Sequence, residues 1–396
     1  MGYGLGADHF LFWVTPWLTN EGQKALDSPS CSRIVPLLIK KLFGIFSLFI
    51  LITGCTQVKI LPQIKMPGES YSQKFKELNK EERVILQSLK NHIGFLAGTL
   101  GERNMFVSKS LKSAAAYIDK SFRAQGHEVS SHEYILQKGL SRHTIVMDFF
   151  RSIFSSNFPS GSQEPAATNI EVEIPGNVYR DQIILVGAHY DSVIGSPGAN
   201  DNATGTAGLL EIGNLLSGKK LKRTIRLVAF VNEEPPFFAT KNMGSYVYAQ
   251  RSRERGENIQ GMISLEMLGY YSTKKGSQKY PFPLGLFKSD TGNFIAFVSN
   301  LRSKTLLNDF IKRFRNLVEF PSDGVAFPQM IPGISWSDHR SFWKFNYPAI
   351  MVTDTAFFRY PYYHSREDTP DKICYDHMAR VVSGLSRVIE DLANEP

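Results

Sequence analysis

Asp181-Gln182-Ile183-Ile184-Leu185-Val186, and the polar stretch it runs into, Gly187-Ala188-His189-Tyr190-Asp191-Ser192, decide how this chain is read. The first six residues are a largely apolar run behind the turn-forming pair Gly176-Asn177, the pattern of a buried strand. Beyond Gly198-Ala199-Asn200-Asp201-Asn202-Ala203-Thr204-Gly205, the residues Leu209, Leu210, Ile212, Leu215 and Leu216 recur at helical spacing until Gly218. Strand, polar loop and helix in that order predict an α/β unit, whose loop lies outside the carboxyl end of a strand, where such sheets bind ligands. The loop brings an imidazole and two carboxylates, His189, Asp191 and Asp201. Neutral imidazole and carboxylate oxygen both suit zinc, and a carboxylate can bridge two ions. Taken alone, the same residues could equally be turn formers and a strand cap, so the choice falls to the other strand ends.

Residues 222–231 form a second apolar run and enter Asn232-Glu233-Glu234-Pro235-Pro236. Adjacent glutamates at a strand end face different ways, so one can bind a metal while the other faces the water to be activated. A solvated acidic turn is the alternative. Residues 260–265 form a third run and close on Glu266, a carboxylate that is costly to bury without a cation beside it. Trp336-Ser337-Asp338-His339 leads to a strand over 347–353, followed by Tyr362-Tyr363-His364-Ser365 and Asp368-Thr369-Pro370-Asp371. Asp338 and His339 read as frame rather than as ligands. Phe237, Phe238, residues 344–346 and 354–360, and the aromatic cluster Tyr360, Tyr362 and Tyr363 are pocket walls or plain core.

With these motifs in this order, the chain from about 104 to 392 resembles the family-28 metallopeptidases, the co-catalytic zinc aminopeptidases, whose fold is akin to that of the glutaminyl cyclases. The resemblance implies an α/β fold, a three-layer sandwich around a central mixed, mostly parallel sheet. It implies a zinc-dependent exopeptidase, an aminopeptidase acting on peptides, with two zinc ions. By position, Asp201 matches the bridging carboxylate, His189 and Glu266 complete one ion's ligands, and Glu234 and His364 complete the other's. Glu233 matches the general base, and Asp191 the carboxylate that orients a metal-bound imidazole. The Asp201–Asn202 bond matches one that is often cis. Glu266 stands where many relatives have aspartate, which bears on metal occupancy and identity. Aminopeptidase action is favoured because no arginine cluster stands ready to clamp a terminal carboxylate; Arg340 and Arg359 are the candidates for the opposite case. Two other readings are a glutaminyl cyclase-like acyltransferase with one zinc, and a non-catalytic surface lipoprotein.

The 396 residues, 42% hydrophobic and 21% charged, suffice for a large core and have an ordinary globular composition. The formal charge of +8 is scattered along the chain, which argues against a nucleic-acid partner. Arg33, Lys40 and Lys41 precede an apolar run over 42–53, too short to span a bilayer comfortably and of signal-peptide length. It ends Leu51-Ile52-Thr53-Gly54-Cys55, which resembles the bacterial lipobox, cut before a cysteine that then carries a lipid. The expected organisation is a leader and lipoprotein signal peptide over 1–55, a tether over 56–72 and one zinc peptidase domain over 73–396, lipid-anchored to a membrane in the cell envelope outside the cytoplasm. An uncleaved amino-terminal anchor is the alternative. Because a signal normally begins with its basic region, translation is expected to start downstream of Met1. Of the three cysteines, Cys31, Cys55 and Cys374, only the last then remains as a thiol, which excludes a disulfide framework and a four-thiolate zinc site.

Amphipathic patterns predict helices over 75–96, 108–125 and 376–393, the last with His377 on its surface. Strands are expected over 127–136 and 169–175. Residues 138–163, rich in Phe, Ser and Arg, read as a long excursion.

Overall fold

The structure is a computed structural model and describes residues 65–137, 166–281 and 284–395. The expected leader, signal peptide and excursion over 138–163 lie outside these residues. Eight strands, β1 (Val129–Ile135), β2 (Ala166–Ile174), β3 (Tyr179–His189), β4 (Arg223–Phe230), β5 (Asn258–Glu266), β6 (Ile295–Ser299), β7 (Ser322–Ala326) and β8 (Ala349–Thr353), make one sheet in the order β1-β2-β4-β3-β5-β8-β6-β7. Its centre, β4-β3-β5-β8, is parallel. On one side β2 and then β1 join antiparallel, and on the other β6 joins β8 antiparallel while β7 runs parallel to β6. The expected mixed, mostly parallel sheet is what forms.

The central strands are apolar on both sides because both faces are covered. Ile184, Val186 and Ala188 of β3 point into a core shared with α1 (Lys80–Ile93), α2 (Ser108–Ala124), α3 (Gly205–Leu216), α5 (Lys304–Leu317) and α7 (Tyr375–Ala393). Ile183 and Leu185, the intervening residues, point into a second core with Tyr248 of α4 (Gly244–Glu254) and Phe342 of α6 (His339–Lys344). The same alternation holds in β4 and β8. Helices therefore flank the sheet on both faces, giving the three layers.

Two helix expectations are corrected. The helix anticipated from 75 starts at Lys80, because Asn79 caps it: its side chain accepts from the Glu82 N–H at 2.9 Å and the Glu82 carboxylate takes the Asn79 N–H at 2.8 Å. Phe75 stays outside and stacks on Phe320 with centroids 5.3 Å apart. His377 is not a surface residue of α7; it is half-buried, stacked on Tyr271 at 5.2 Å and edge-on to Phe75 and Phe320. The stretch 65–72, assigned to the tether, lies against the domain. Met66 is buried, and the Arg315 guanidinium donates to the carbonyls of Met66, Pro67 and Gly68 at 3.2, 3.0 and 2.8 Å.

Candidate metal centre

Parallel strands that end at one level place their last residues side by side. His189 closes β3, Glu266 closes β5, and Glu233 and Glu234 lie just past β4, all at the carboxyl edge of the sheet. Asp201 comes from the turn that opens α3, and His364 from the loop after β8. His189 Nε2 lies 3.3 Å from Glu266 Oε2 and 3.5 Å from Asp201 Oδ1. His364 Nε2 lies 3.2 Å from the other Asp201 oxygen, Oδ2, and 3.2 Å from Glu234 Oε2. The structure thus brings all five sequence-predicted ligands together in two triads that share Asp201. Glu233 stands beside them, 3.9 Å from His189 Nε2, and with His189 and Glu234 makes a third group whose ligand atoms lie close together.

Whether these groups suit a cation can be judged from what they lack. Buried polar atoms are nearly always hydrogen-bonded. Yet His189 Nε2 and Glu234 Oε1 are buried with no hydrogen-bond partner among the described residues. Four carboxylates face two imidazoles here, an excess of negative charge that is costly to bury without cations. Burial opposes ionisation of Asp201, but the two imidazoles hold its carboxyl below the usual range. Burial, with help from Asp201, lifts Glu234 to about 7; burial also lifts Glu266, and drives Glu233 far up despite the pull of His189. Against burial, Glu234 and Asp201 raise His364 to about 10. The donor set, nitrogen and carboxylate oxygen with no thiolate, is one that zinc accepts.

Asp191 works on two fronts. His189 Nδ1 is hydrogen-bonded to the Asp191 backbone carbonyl at 3.2 Å, with one Asp191 carboxylate oxygen 3.6 Å away, and the two carboxylate oxygens accept the backbone N–H groups of Glu233 and Glu234 at 3.2 and 3.1 Å. One residue therefore orients the imidazole through its carbonyl and clamps the turn that carries both glutamates through its carboxylate. The backbone around the site is held in unusual conformations: Asn232, Met267 and His364 have φ of 60°, 52° and 55°, and Asp201–Asn202 is cis. Left-handed conformations at non-glycine residues cost about 1–3 kcal/mol each and persist only where surroundings enforce them.

Several of the enforcing residues escape a reading of sequence. Arg103, fully buried, threads its guanidinium between the two halves of the loop, donating to the carbonyls of Tyr190 at 2.7 Å, Gly198 at 2.8 Å and Pro197. Asp368 accepts the N–H groups of Asn200 and Asp201 at 2.8 and 3.1 Å and the Tyr360 hydroxyl at 2.8 Å. Asn202 donates to Leu265 O at 2.8 Å and accepts from Met267 N at 3.0 Å, tying the turn to the end of β5. Ser337 donates to Glu266 Oε2 at 2.7 Å. Asn202, Ser337 and Asp368 stand in motifs visible in the sequence, though their bracing contacts were not. Arg103 carries no local signal, since its partners are backbone carbonyls about ninety residues away.

Residues 169–389 match the model of Peptidase family M28. The chain belongs to peptidase family M28. It is similar to the Escherichia coli K12 protein named Uncharacterized protein YfbL, with 38% identity over 257 residues, covering 60% of this chain and 77% of that one. A probable leucine aminopeptidase of Arthroderma otae is 25% identical over 281 residues, 65% of this chain and 68% of that one. Among solved structures, the zinc aminopeptidase BSAP of Bacillus subtilis shares the fold with a TM-score of 0.58 at 15% identity, over 81% of this chain and 97% of that one. The glutaminyl cyclase of Porphyromonas gingivalis does so with 0.53 at 16%, over 78% and 98%.

As a member of this family the peptidase is a zinc hydrolase acting on peptide bonds. Beside Glu266 and Tyr363 opens a cleft with about 830 Å³ of unfilled space, part of it open to solvent, walled by apolar groups that include Phe294, Trp336, Met351 and Phe357. Of the two arginines considered as carboxylate clamps, Arg359 is buried and held by Nε on Gln278 and Nη1 on Tyr270 O and Phe294 O, with Nη2 left without a hydrogen bond to the other described residues. His339 points away from the centre, with Nε2 on Ile334 O at 2.8 Å and its ring edge-on to Trp343 at 4.5 Å.

Proposed function

We propose that the peptidase is an aminopeptidase that holds two zinc ions, one between His189, Asp201 and Glu266 and one between Asp201, Glu234 and His364. The observation that carries this reading is the pair of triads sharing Asp201, each of whose oxygens faces a different imidazole at 3.5 and 3.2 Å. When bound, zinc polarises the scissile carbonyl and acidifies water at the centre. Glu233 stands outside the two triads that share Asp201, 3.9 Å from His189 Nε2, and by its match to the family's general base it is the group to move the proton. As a carboxylate it can accept a proton from the attacking water and return it to the departing amine. Asp191 holds the Glu233–Glu234 turn and the His189 ring in register for this. The apolar cleft beside Glu266 suits a large apolar side chain at the residue being removed.

The test combines zinc analysis with a panel of aminoacyl anilides, free and N-acetylated. We expect two zinc ions per chain and cleavage of the free amines alone, fastest with large apolar residues. Cleavage of blocked or internal bonds would contradict aminopeptidase action. A glutaminyl cyclase-like reaction is the second reading, supported by the shared fold with such an enzyme. One tightly held zinc and ring closure of amino-terminal glutamine would favour it.

We further propose that the chain is lipidated on Cys55, cut before that residue and held by its lipid at the envelope membrane outside the cytoplasm, with one catalytic domain beyond. The support is the basic residues, apolar run and Gly54-Cys55 of the amino-terminal region. Labelling with a radioactive fatty acid should mark the chain and not its Cys55→Ala variant; equal labelling of both would contradict the anchor.

A further inference from the structure

The arginines packed into this fold are mostly engaged. Arg103 and Arg315 spend their donors on backbone carbonyls and side chains, Arg226 and Arg313 on carboxylates, and Arg359 on Gln278 and two carbonyls, leaving only its buried Nη2 over. Arg340 is the exception at the centre. Its backbone is anchored, N–H to Ser337 O at 3.2 Å, and Ser337 in turn holds Glu266 through its hydroxyl. Its guanidinium carbon lies over the Phe238 ring at 4.8 Å, in the segment just past Glu233 and Glu234. Half-buried there, it makes no hydrogen bond or ion pair with the other described residues. The group whose charge reaches it is Glu233. A planar fork of unspent donors, steadied by an aromatic face, is what recognises a carboxylate in two-pronged fashion.

We infer that Arg340 binds the free terminal carboxylate of a dipeptide, so that the enzyme favours dipeptides over longer or carboxyl-blocked substrates. The inference rests on the aminopeptidase reading above and names the substrate class of that site. Glu233 returns its proton to the departing amine, so groups next to Glu233 face the leaving residue. In a dipeptide the carboxylate hangs from the same carbon as that amine, which brings it to this neighbourhood. Longer peptides carry an amide there, which leaves the guanidinium without its ionic partner.

The experiment compares kcat/KM for one dipeptide and its carboxyl-terminal amide in the zinc-loaded wild type, Arg340→Gln and Arg340→Lys. Each protein supplies its own ratio of acid to amide, so a poorly folded fraction cancels. The wild-type ratio is expected to be about 10 to 100, as befits a charge-assisted pair. In Arg340→Gln it should fall toward unity, with Arg340→Lys between, because it keeps the charge and loses the fork. A wild-type ratio near unity, or an equal loss on acid and amide in Arg340→Gln, overturns the inference and leaves aminopeptidase action standing. Failure to cleave either peptide, with zinc bound, would overturn both.

Discussion

The two halves of the metal centre are built differently. His189 and Glu266 are the last residues of neighbouring strands, fully enclosed and fixed by the sheet's own hydrogen bonds. Glu234 and His364 come from a turn and a loop, and the His364 side chain keeps 20% of its exposure. One half is thus pinned by the core of the fold and the other by irregular backbone at its rim. The difference teaches that a shared carboxylate need not make two equal sites: the rim half is expected to form last, to exchange fastest and to be lost first.

Four substitutions bear on that division. Glu233→Gln, which alters proton transfer without removing a proposed ligand, should cut turnover by about 10² to 10⁴ while both zinc ions stay. Wild-type turnover, or loss of zinc, would show that Glu233 belongs to one of the halves. His189→Ala and His364→Ala separate the halves themselves. Under a graded chelator, His364→Ala should retain the deep ion, whereas His189→Ala should lose it and unfold at lower urea as well, because the ring is wholly buried. Equal zinc content and stability in the two would erase the contrast. Asp191→Asn keeps the shape and the carbonyl on His189 but removes the charge beside the ring and weakens the hold on the glutamate turn, and a loss of roughly 10- to 100-fold in zinc affinity or activity is expected.

The smallest expected effect concerns the frame. Burial brings the His339 imidazole down to about 4, so it stays neutral in the folded chain. The unfolded chain takes up that proton first, near the ordinary value of about 6.5, so the stability contributed is complete above that pH and drains away as pH falls toward about 4. His339→Gln should flatten the dependence of the urea midpoint between about pH 6.5 and 4.5; an unchanged slope would place the titration elsewhere.

His189, Glu234 and Glu266 were legible because each sits where an apolar run gives way to polar residues, whereas Asp201 and His364, in loops, were picked out by the family resemblance. The central strands were legible for the same cause: burial on both faces turns them into unbroken apolar runs. The region between 271 and 335 was not assigned. There β7 is Ser-Asp-Gly-Val-Ala, with little intrinsic strand preference, and its hydrogen-bonded neighbour is β6 alone. The stripe Leu307, Phe310, Ile311 and Phe314 of α5 was a signal that could have been used. The bracing was least legible: Arg103, and the grip of Asp191 on the glutamate turn, act on backbone groups that only the folded chain brings near.

The most direct test of the central claim is anomalous diffraction at the zinc edge from crystals of the zinc-loaded protein. The account requires two peaks, one among His189, Asp201 and Glu266 and the other among Asp201, Glu234 and His364. A single peak, or peaks that do not share Asp201, would contradict it.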